Sequence, residues 1–241
     1  MRRFDAVLFD YGDTLFQFRY EERTHERALA ALLGELGAAD RAADALDVFR
    51  RLFDEAQDAA GDHGELRYAE LMMRVLAEVG VRPGDGELRE ALRLEHRAWD
   101  EARTLHPDTP RLLAALREAG LATGLVSNAF DPPELMHEDL RIHGIAALLD
   151  AAVFSSEVGV RKPHPAIYRH VLDRLAVVPE RALFVGDRVR EDIDGPAALG
   201  MSTCLAVYYR RDEDDHSRAT FCAQSPLEIL TFVGVSGTIA G

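Results

Sequence analysis

Lysine is almost missing from this chain. Of 28 basic residues in 241, Lys162 is the only lysine, so whatever favours arginine elsewhere has been resisted at this one place. A compact ammonium is the form suited to a phosphoryl group or carboxylate in a tight pocket, where arginine's planar fork is too wide; chance survival of one lysine is the plain alternative. Cysteine is scarce too. Cys204 and Cys222 both sit in apolar surroundings, which excludes a disulfide framework and leads us to expect buried thiols in a reducing compartment. Positive charge is in deficit: a formal net charge of -14 excludes a sequence-independent nucleic-acid binder, although a local site for a small anion stays open. No apolar run is long enough to span a bilayer, and Met1-Arg2-Arg3-Phe4 leads into a strand pattern with no signal-peptide core. A cytoplasmic protein with neither membrane nor nucleic acid as partner is expected. What is present is a 47% hydrophobic chain, enough for a core and too much for disorder, at a length that suits one large domain or a core with a smaller companion.

The chain is organised around Phe4-Asp5-Ala6-Val7-Leu8-Phe9-Asp10-Tyr11-Gly12-Asp13-Thr14-Leu15. Its apolar run reads as a buried parallel strand that delivers Asp10 to the C-terminal edge of a sheet, where open α/β sheets bind ligands. Taken alone, that carboxylate could equally cap the next element. Residues 20–103 then show near-3.6 apolar spacing, as at Ala28, Leu29, Leu32, Leu33 and Leu36 and again at Leu71, Met72, Val75, Leu76 and Val79. Glycine- and proline-containing breaks divide the block into about four helices, with no strand pattern between them. Its methionines and Trp99 suit a helix-bundle core. From Thr104 the rhythm alternates. Helices are expected at 108–119, 132–142, 165–175 and 191–199, and strands at 121–126, 151–154, 182–185 and 203–207, followed by a charged loop at 210–215, a last helix at 225–232 and a loose end at 234–241. This order predicts an α/β fold, a parallel sheet with helices on both faces.

Each chemistry-bearing residue falls at a strand end. Asp10 closes the first strand, Ser127-Asn128 the second, Lys162 follows the third, and Gly186-Asp187 closes the fourth. In a parallel sheet these ends share one edge, so two acids, a hydroxyl beside an amide, and a lysine can converge on one point. Nine histidines invite a zinc reading, but the pairs His137/His143 and His164/His170 are spaced so that neither shares a helix face.

Four stretches in order, Asp10-Tyr11-Gly12-Asp13-Thr14, Val126-Ser127-Asn128, Arg161-Lys162-Pro163-His164-Pro165 and Gly186-Asp187-Arg188-Val189-Arg190-Glu191-Asp192, resemble the motifs of the haloacid dehalogenase-like hydrolase superfamily. The helical block between the first two resembles its C1-type cap. The resemblance covers nearly the whole chain and implies a Rossmann-like core of residues 1–16 and 104–241 with a helical cap at 17–103. It implies Asp10 as nucleophile toward phosphorus, forming an aspartyl-phosphate, and Mg²⁺ held by Asp10, the Gly12 carbonyl and Asp187, with Asp192 orienting its water shell. Ser127 and the Asn128 backbone would hold a phosphoryl oxygen, and Lys162 would offset charge between nucleophile and transferring group. Asp192 has an ordinary alternative as a helix N-terminal charge.

One position departs from that pattern. Phosphatases of the superfamily carry an acid two residues after the nucleophile, and here the position is Gly12. Asp13 is displaced by one, which turns its side chain to another face; its default reading is a turn carboxylate bonded to local backbone, with an acid-base role as the alternative. The expected function is a Mg²⁺-dependent phosphatase of a small phosphorylated metabolite. Two others compete: a non-catalytic phosphate-binding or regulatory protein, and a 2-haloacid dehalogenase, against which the acidic set counts. Phosphonate cleavage would need a cap lysine for a Schiff base, and the cap has none. Residues 61–68 with Arg19, Arg23 and His25 are the candidates for substrate selection.

Overall fold

In the computed structural model residues 3–210 and 218–235 are described; most of the expected charged loop, and the loose end beyond Val235, lie outside them. Strand β1 (Ala6–Phe9) is buried along its length. After it come β2 (Phe16–Phe18), then helices α1 (Glu22–Glu35), α2 (Ala42–Ala60), α3 (Tyr68–Glu78) and α4 (Asp85–Arg97), and β3 (Arg103–Leu105). Next in order are α5 (Thr109–Glu118), β4 (Ala122–Ser127), α6 (Pro133–Ile142), β5 (Ala151–Phe154), α7 (Ser155–Val158), α8 (Pro165–Leu175) and β6 (Ala182–Gly186). A π-helical turn (Val189–Asp194), α9 (Gly195–Ala197), β7 (Ser202–Ala206), β8 (Phe221–Ala223) and α10 (Glu228–Phe232) complete the described chain.

Six strands form one parallel sheet in the order β5-β4-β1-β6-β7-β8. Side-chain alternation, period two, splits its core in half. Val7 and Phe9 of β1, Leu125 of β4, and Leu183 and Val185 of β6 pack with Leu112, Leu113 and Leu116 of α5, Met136 and Leu140 of α6 and Ile229 of α10. Leu8, Val126 and Phe184 face the other way, onto Ile167, Tyr168, Val171 and Leu172 of α8. Helices therefore cover both faces, as the alternating sequence predicts. Among the described residues no helix is long and apolar enough to cross a membrane. Cys204 is buried, while Cys222, on the edge strand, is only half-buried.

The four helices between β2 and β3 have their own core, built from the periodic positions Leu29, Leu32, Leu33, Leu71, Met72, Val75 and Leu76 with Phe49 and Leu52 of α2. They join the rest through β2 and β3, which pair antiparallel with Phe16 opposite Leu105 and Phe18 opposite Arg103. Three residues per strand are too few to show an alternating pattern, which is why the sequence gives no sign of them or of edge strand β8. The expected helix 191–199 also differs: a π-helical turn precedes a single α turn. Pro196 has no N–H to offer the preceding turn, so a regular ladder cannot run through it.

This neck buries charge. His96 of α4 contacts Asp131 Oδ1 from Nδ1 (2.8 Å) and Asp139 Oδ2 of α6 from Nε2 (2.9 Å). Arg103 donates to the same Asp139 oxygen (2.5 Å), to the His96 carbonyl (2.8 Å) and to Asp100 (2.8 Å). Arg103 also lies 2.8 Å from His96 Nε2, an approach of two donors that the shared carboxylate offsets. Burial alone would lower the His96 pKa; hydrogen bonds to Asp131 and Asp139 outweigh it and raise the ring to about 9. The imidazole is therefore a cation at neutral pH.

Candidate active site

Parallel pairing places the C-terminal ends of β4, β1 and β6 side by side. Asp10 directly follows β1, anchored by its N–H donating to the Val185 carbonyl (2.9 Å). Ser127 is the last residue of β4 and buried. Asp187 directly follows β6 and is 2% exposed. Lys162 arrives from the loop between α7 and α8, across a cis peptide bond to Pro163, and its ammonium is buried between Asp10 Oδ1 (2.6 Å) and Asp192 Oδ1 (2.7 Å). The Phe184 ring lies 5.3 Å from the same nitrogen. Burial would push this ammonium down, and the carboxylates of Asp10 and Asp192 outweigh it and hold its pKa above the ordinary lysine value.

Asp192 reaches the site because the π-helical turn folds it back across β6. Its second oxygen accepts the Arg188 N–H (3.0 Å), so both oxygens are engaged. The close approach demands glycine at the strand end, since a Cβ on Gly186 would lie 2.3 Å from Asp192 Cγ. Asp10, Asp187 and Asp192 each offer an oxygen within 4.8 Å of the others, a group able to hold a metal ion. Burial first, then repulsion from Asp10 and Asp192, pushes the Asp187 carboxyl well above the usual range. Burial raises Asp192 too, against the pull of Lys162. Asp187 Oδ1 is buried with no hydrogen-bond partner among the described residues. A buried carboxylate oxygen left bare is costly; a divalent cation is the complement that this oxygen-only set fits.

The remaining sequence candidates divide. The Asn128 side chain clasps the backbone of Lys162, accepting its N–H (2.7 Å) and donating to its carbonyl (3.1 Å), so that amide fixes the lysine loop. Gly12 faces open space: a Cβ there would meet nothing within 4 Å. Asp13 adopts a left-handed backbone (φ 53), tolerable for aspartate, and its Oδ1 accepts the Phe18 N–H of β2 (3.1 Å). That is the turn-carboxylate arrangement expected by default. Arg19 and Arg23 are exposed. His25 is instead buried in an aromatic cluster, its ring 4.7 Å from Phe49 and 5.7 Å from Trp99.

Sequence reasoning missed Arg210, whose Nε donates to Asp187 Oδ2 (2.7 Å) and whose guanidinium lies 3.6 Å from Asp13 Oδ2. It stands at the head of a charged run and carries no motif signal. Glu65 lay within the singled-out residues 61–68, but nothing in the sequence marked its carboxylate as buried, with only 2% of the side chain exposed.

With this geometry in view, the chain belongs to the haloacid dehalogenase-like hydrolase family, whose model matches residues 4–200. The glyceraldehyde 3-phosphate phosphatase of Methanopyrus kandleri is 31% identical over 199 residues, 82% of each chain. The phosphoserine phosphatase of Thermus thermophilus is 34% identical over 140 residues, 58% of this chain and 54% of that one. A solved 2-haloacid dehalogenase from Pseudomonas syringae pv. Tomato shares the fold, with a TM-score of 0.71 at 21% identity over 96% of this chain and 98% of its own.

Proposed function

We propose that this hydrolase is a Mg²⁺-dependent phosphatase of a small phosphorylated metabolite, with residues 17–103 closing as a cap over a core of 1–16 and 104–241. The observation that carries the reading is the convergence of Asp10, Asp187 and Asp192 around Lys162 with one carboxylate oxygen left bare. Asp10 is the nucleophile: in-line attack of its free oxygen on phosphorus forms an aspartyl-phosphate and expels the alcohol, and water then hydrolyses the acyl phosphate. Lys162, already bonded to Asp10, offsets negative charge as it builds on the transferring group. Ser127 donates its hydroxyl to a phosphoryl oxygen beside the Asn128 backbone. Asp10, Asp187 and the Gly12 carbonyl would hold Mg²⁺, which supplies charge neutralisation of the phosphoryl oxygens; Asp192, with both oxygens engaged, would act on its water shell. Relatives named as phosphatases of glyceraldehyde 3-phosphate and phosphoserine support a small monoester as substrate.

Gly12 leaves no acid to protonate the leaving group, and general acid-base help is worth roughly 10²- to 10⁴-fold. Acyl and aryl phosphates should therefore be hydrolysed much faster than sugar phosphates. Open space around Gly12 means that Gly12→Asp should raise activity on alkyl esters. The test is phosphate release from acyl, aryl and alkyl phosphates, with and without Mg²⁺, as kcat/KM against leaving-group pKa. A flat plot for the wild type that steepens in Asp13→Ala would return Asp13 to the acid role. The same gap at Gly12 favours a dehalogenase as the second reading, with Asp10 attacking carbon; chloride release from a 2-haloacid without phosphate release from any monoester would establish it.

A further inference from the structure

The helical insertion meets the core at a second place, remote in sequence from β2 and β3. Residues 61–66, between α2 and α3, run antiparallel to residues 159–161, with a bridge between Gly64 and Val160. The Glu65 N–H donates to the Gly159 carbonyl (3.2 Å) and the Arg161 N–H to the His63 carbonyl (2.9 Å). Gly64 is needed for the turn, since a Cβ there would lie 2.3 Å from the Ala60 carbonyl oxygen. Between the two segments Glu65 buries its carboxylate, which accepts from Arg161 Nη1 (3.2 Å), from the Leu66 N–H (2.7 Å) and from the Ser155 hydroxyl. Burying a carboxylate on a loop is costly unless donors converge on it, and two of these three donors belong to the core.

Both core donors lead to the reacting groups. Ser155 Oγ accepts the Ala129 N–H (2.8 Å), and Ala129 follows Ser127, at the end of β4, and Asn128 in the chain. Arg161 precedes Lys162, whose backbone Asn128 clasps. One carboxylate of the insertion thus holds the hydroxyl loop and the lysine loop together from outside the site. We propose that Glu65 is a positioning residue: it brings Ser127 and Lys162 into mutual register when the insertion is seated, so that closure completes the reacting constellation as well as covering it. The inference rests on the hydrolase reading above. It assigns residues 61–66 a task separate from contact with substrate, since the Glu65 carboxylate is committed to Ser155 and Arg161.

The test uses the full-length protein with Mg²⁺ and compares wild type with Glu65→Gln, Ser155→Ala and the double variant. Amide hydrogen exchange reads the latch directly: segments 61–66 and 159–161 should exchange faster in Glu65→Gln, with α1, α3 and α4 unchanged. The single-turnover rate with saturating p-nitrophenyl phosphate should fall roughly 10- to 100-fold, the cost of a small misplacement of reacting groups, and the double variant should lose no more than the larger single loss. Wild-type single-turnover rate in Glu65→Gln would overturn the proposal, since the contact would then be docking alone. Unchanged exchange at both segments would overturn it as well, and so would faster exchange spread evenly over the four helices, which marks general support of the insertion. If the wild type turns over no monoester, the phosphatase reading fails by itself and inorganic phosphate decides the latch: weaker phosphate binding by Glu65→Gln in calorimetry supports it, and equal binding overturns it.

Discussion

At the neck His96 and Arg103, with Arg97 beside them, face the carboxylates of Asp100, Asp131 and Asp139. At the sheet edge three carboxylates converge, two of them on the Lys162 ammonium, and Asp187 Oδ1 is buried with no partner among the described residues. Both clusters bury charge, but the neck leaves no buried carboxylate oxygen without a partner among the described residues, its bare atom being Arg103 Nε. Its charges answer one another, as a structural joint requires, whereas the sheet edge holds more negative charge than its lysine can balance. Arg210 offsets part of that surplus from the side of Asp187. Buried charge alone therefore does not mark a reacting site; an imbalance that a ligand would correct does.

Substitutions should separate the two clusters sharply. Asp10→Asn removes the proposed nucleophile and should abolish phosphate release, while relief of repulsion with Asp187 leaves Tm unchanged or higher; more than a few per cent of wild-type turnover would refute the assignment. Asp139→Asn should do the reverse. Removing one member of a buried pair costs about 3–5 kcal/mol, or at least about 6 °C in Tm for a chain of this size, and unfolding by heat or denaturant measures it. Metal should tell the clusters apart next: Mg²⁺ at 100 times its Kd should stabilise the wild type by about 2.7 kcal/mol. In thermal shift that gain should vanish in Asp187→Asn and survive in Asp139→Asn. Lys162→Arg keeps the charge but widens the cation, and should lower kcat about 10-fold, about 1.4 kcal/mol; wild-type kinetics would reduce the solitary lysine to an accident of composition.

The smallest effect is pH. The raised His96 pKa means that its contribution to stability is complete below about pH 6.5 and is lost as pH rises through about 9. Denaturation midpoints across that window should fall in the wild type and stay flatter in His96→Gln.

Much of this was legible beforehand because it depends on local pattern. The run ending at Asp10, the 3.6 spacing of α1 and α3 and the order of strand ends are periodic signals, and parallel topology turns those strand ends into one edge. Asp13 was legible as a turn carboxylate because a one-residue displacement re-aims a side chain. What escaped detection is long-range: Arg210 on Asp187, Glu65 against Ser155 and the His96 cluster join residues 23, 90 and 43 positions apart. The surroundings of His25 are hidden for the same reason, since its polarity is visible in the sequence and its aromatic neighbours are not.

The solitary tryptophan acquires a use from where it sits. Trp99 lies just past α4, its ring between 5.7 and 6.0 Å from those of His25, Tyr20 and Phe18. Its Nε1–H donates to Glu95 (3.0 Å), a carboxyl that burial raises to about 7. Phe18 belongs to β2 and His25 to α1, so hinging of the helices about the neck would change what surrounds this one indole. If the insertion closes as proposed, that ring would report the movement by stopped flow without a label, with Glu95 setting a background that titrates near neutrality.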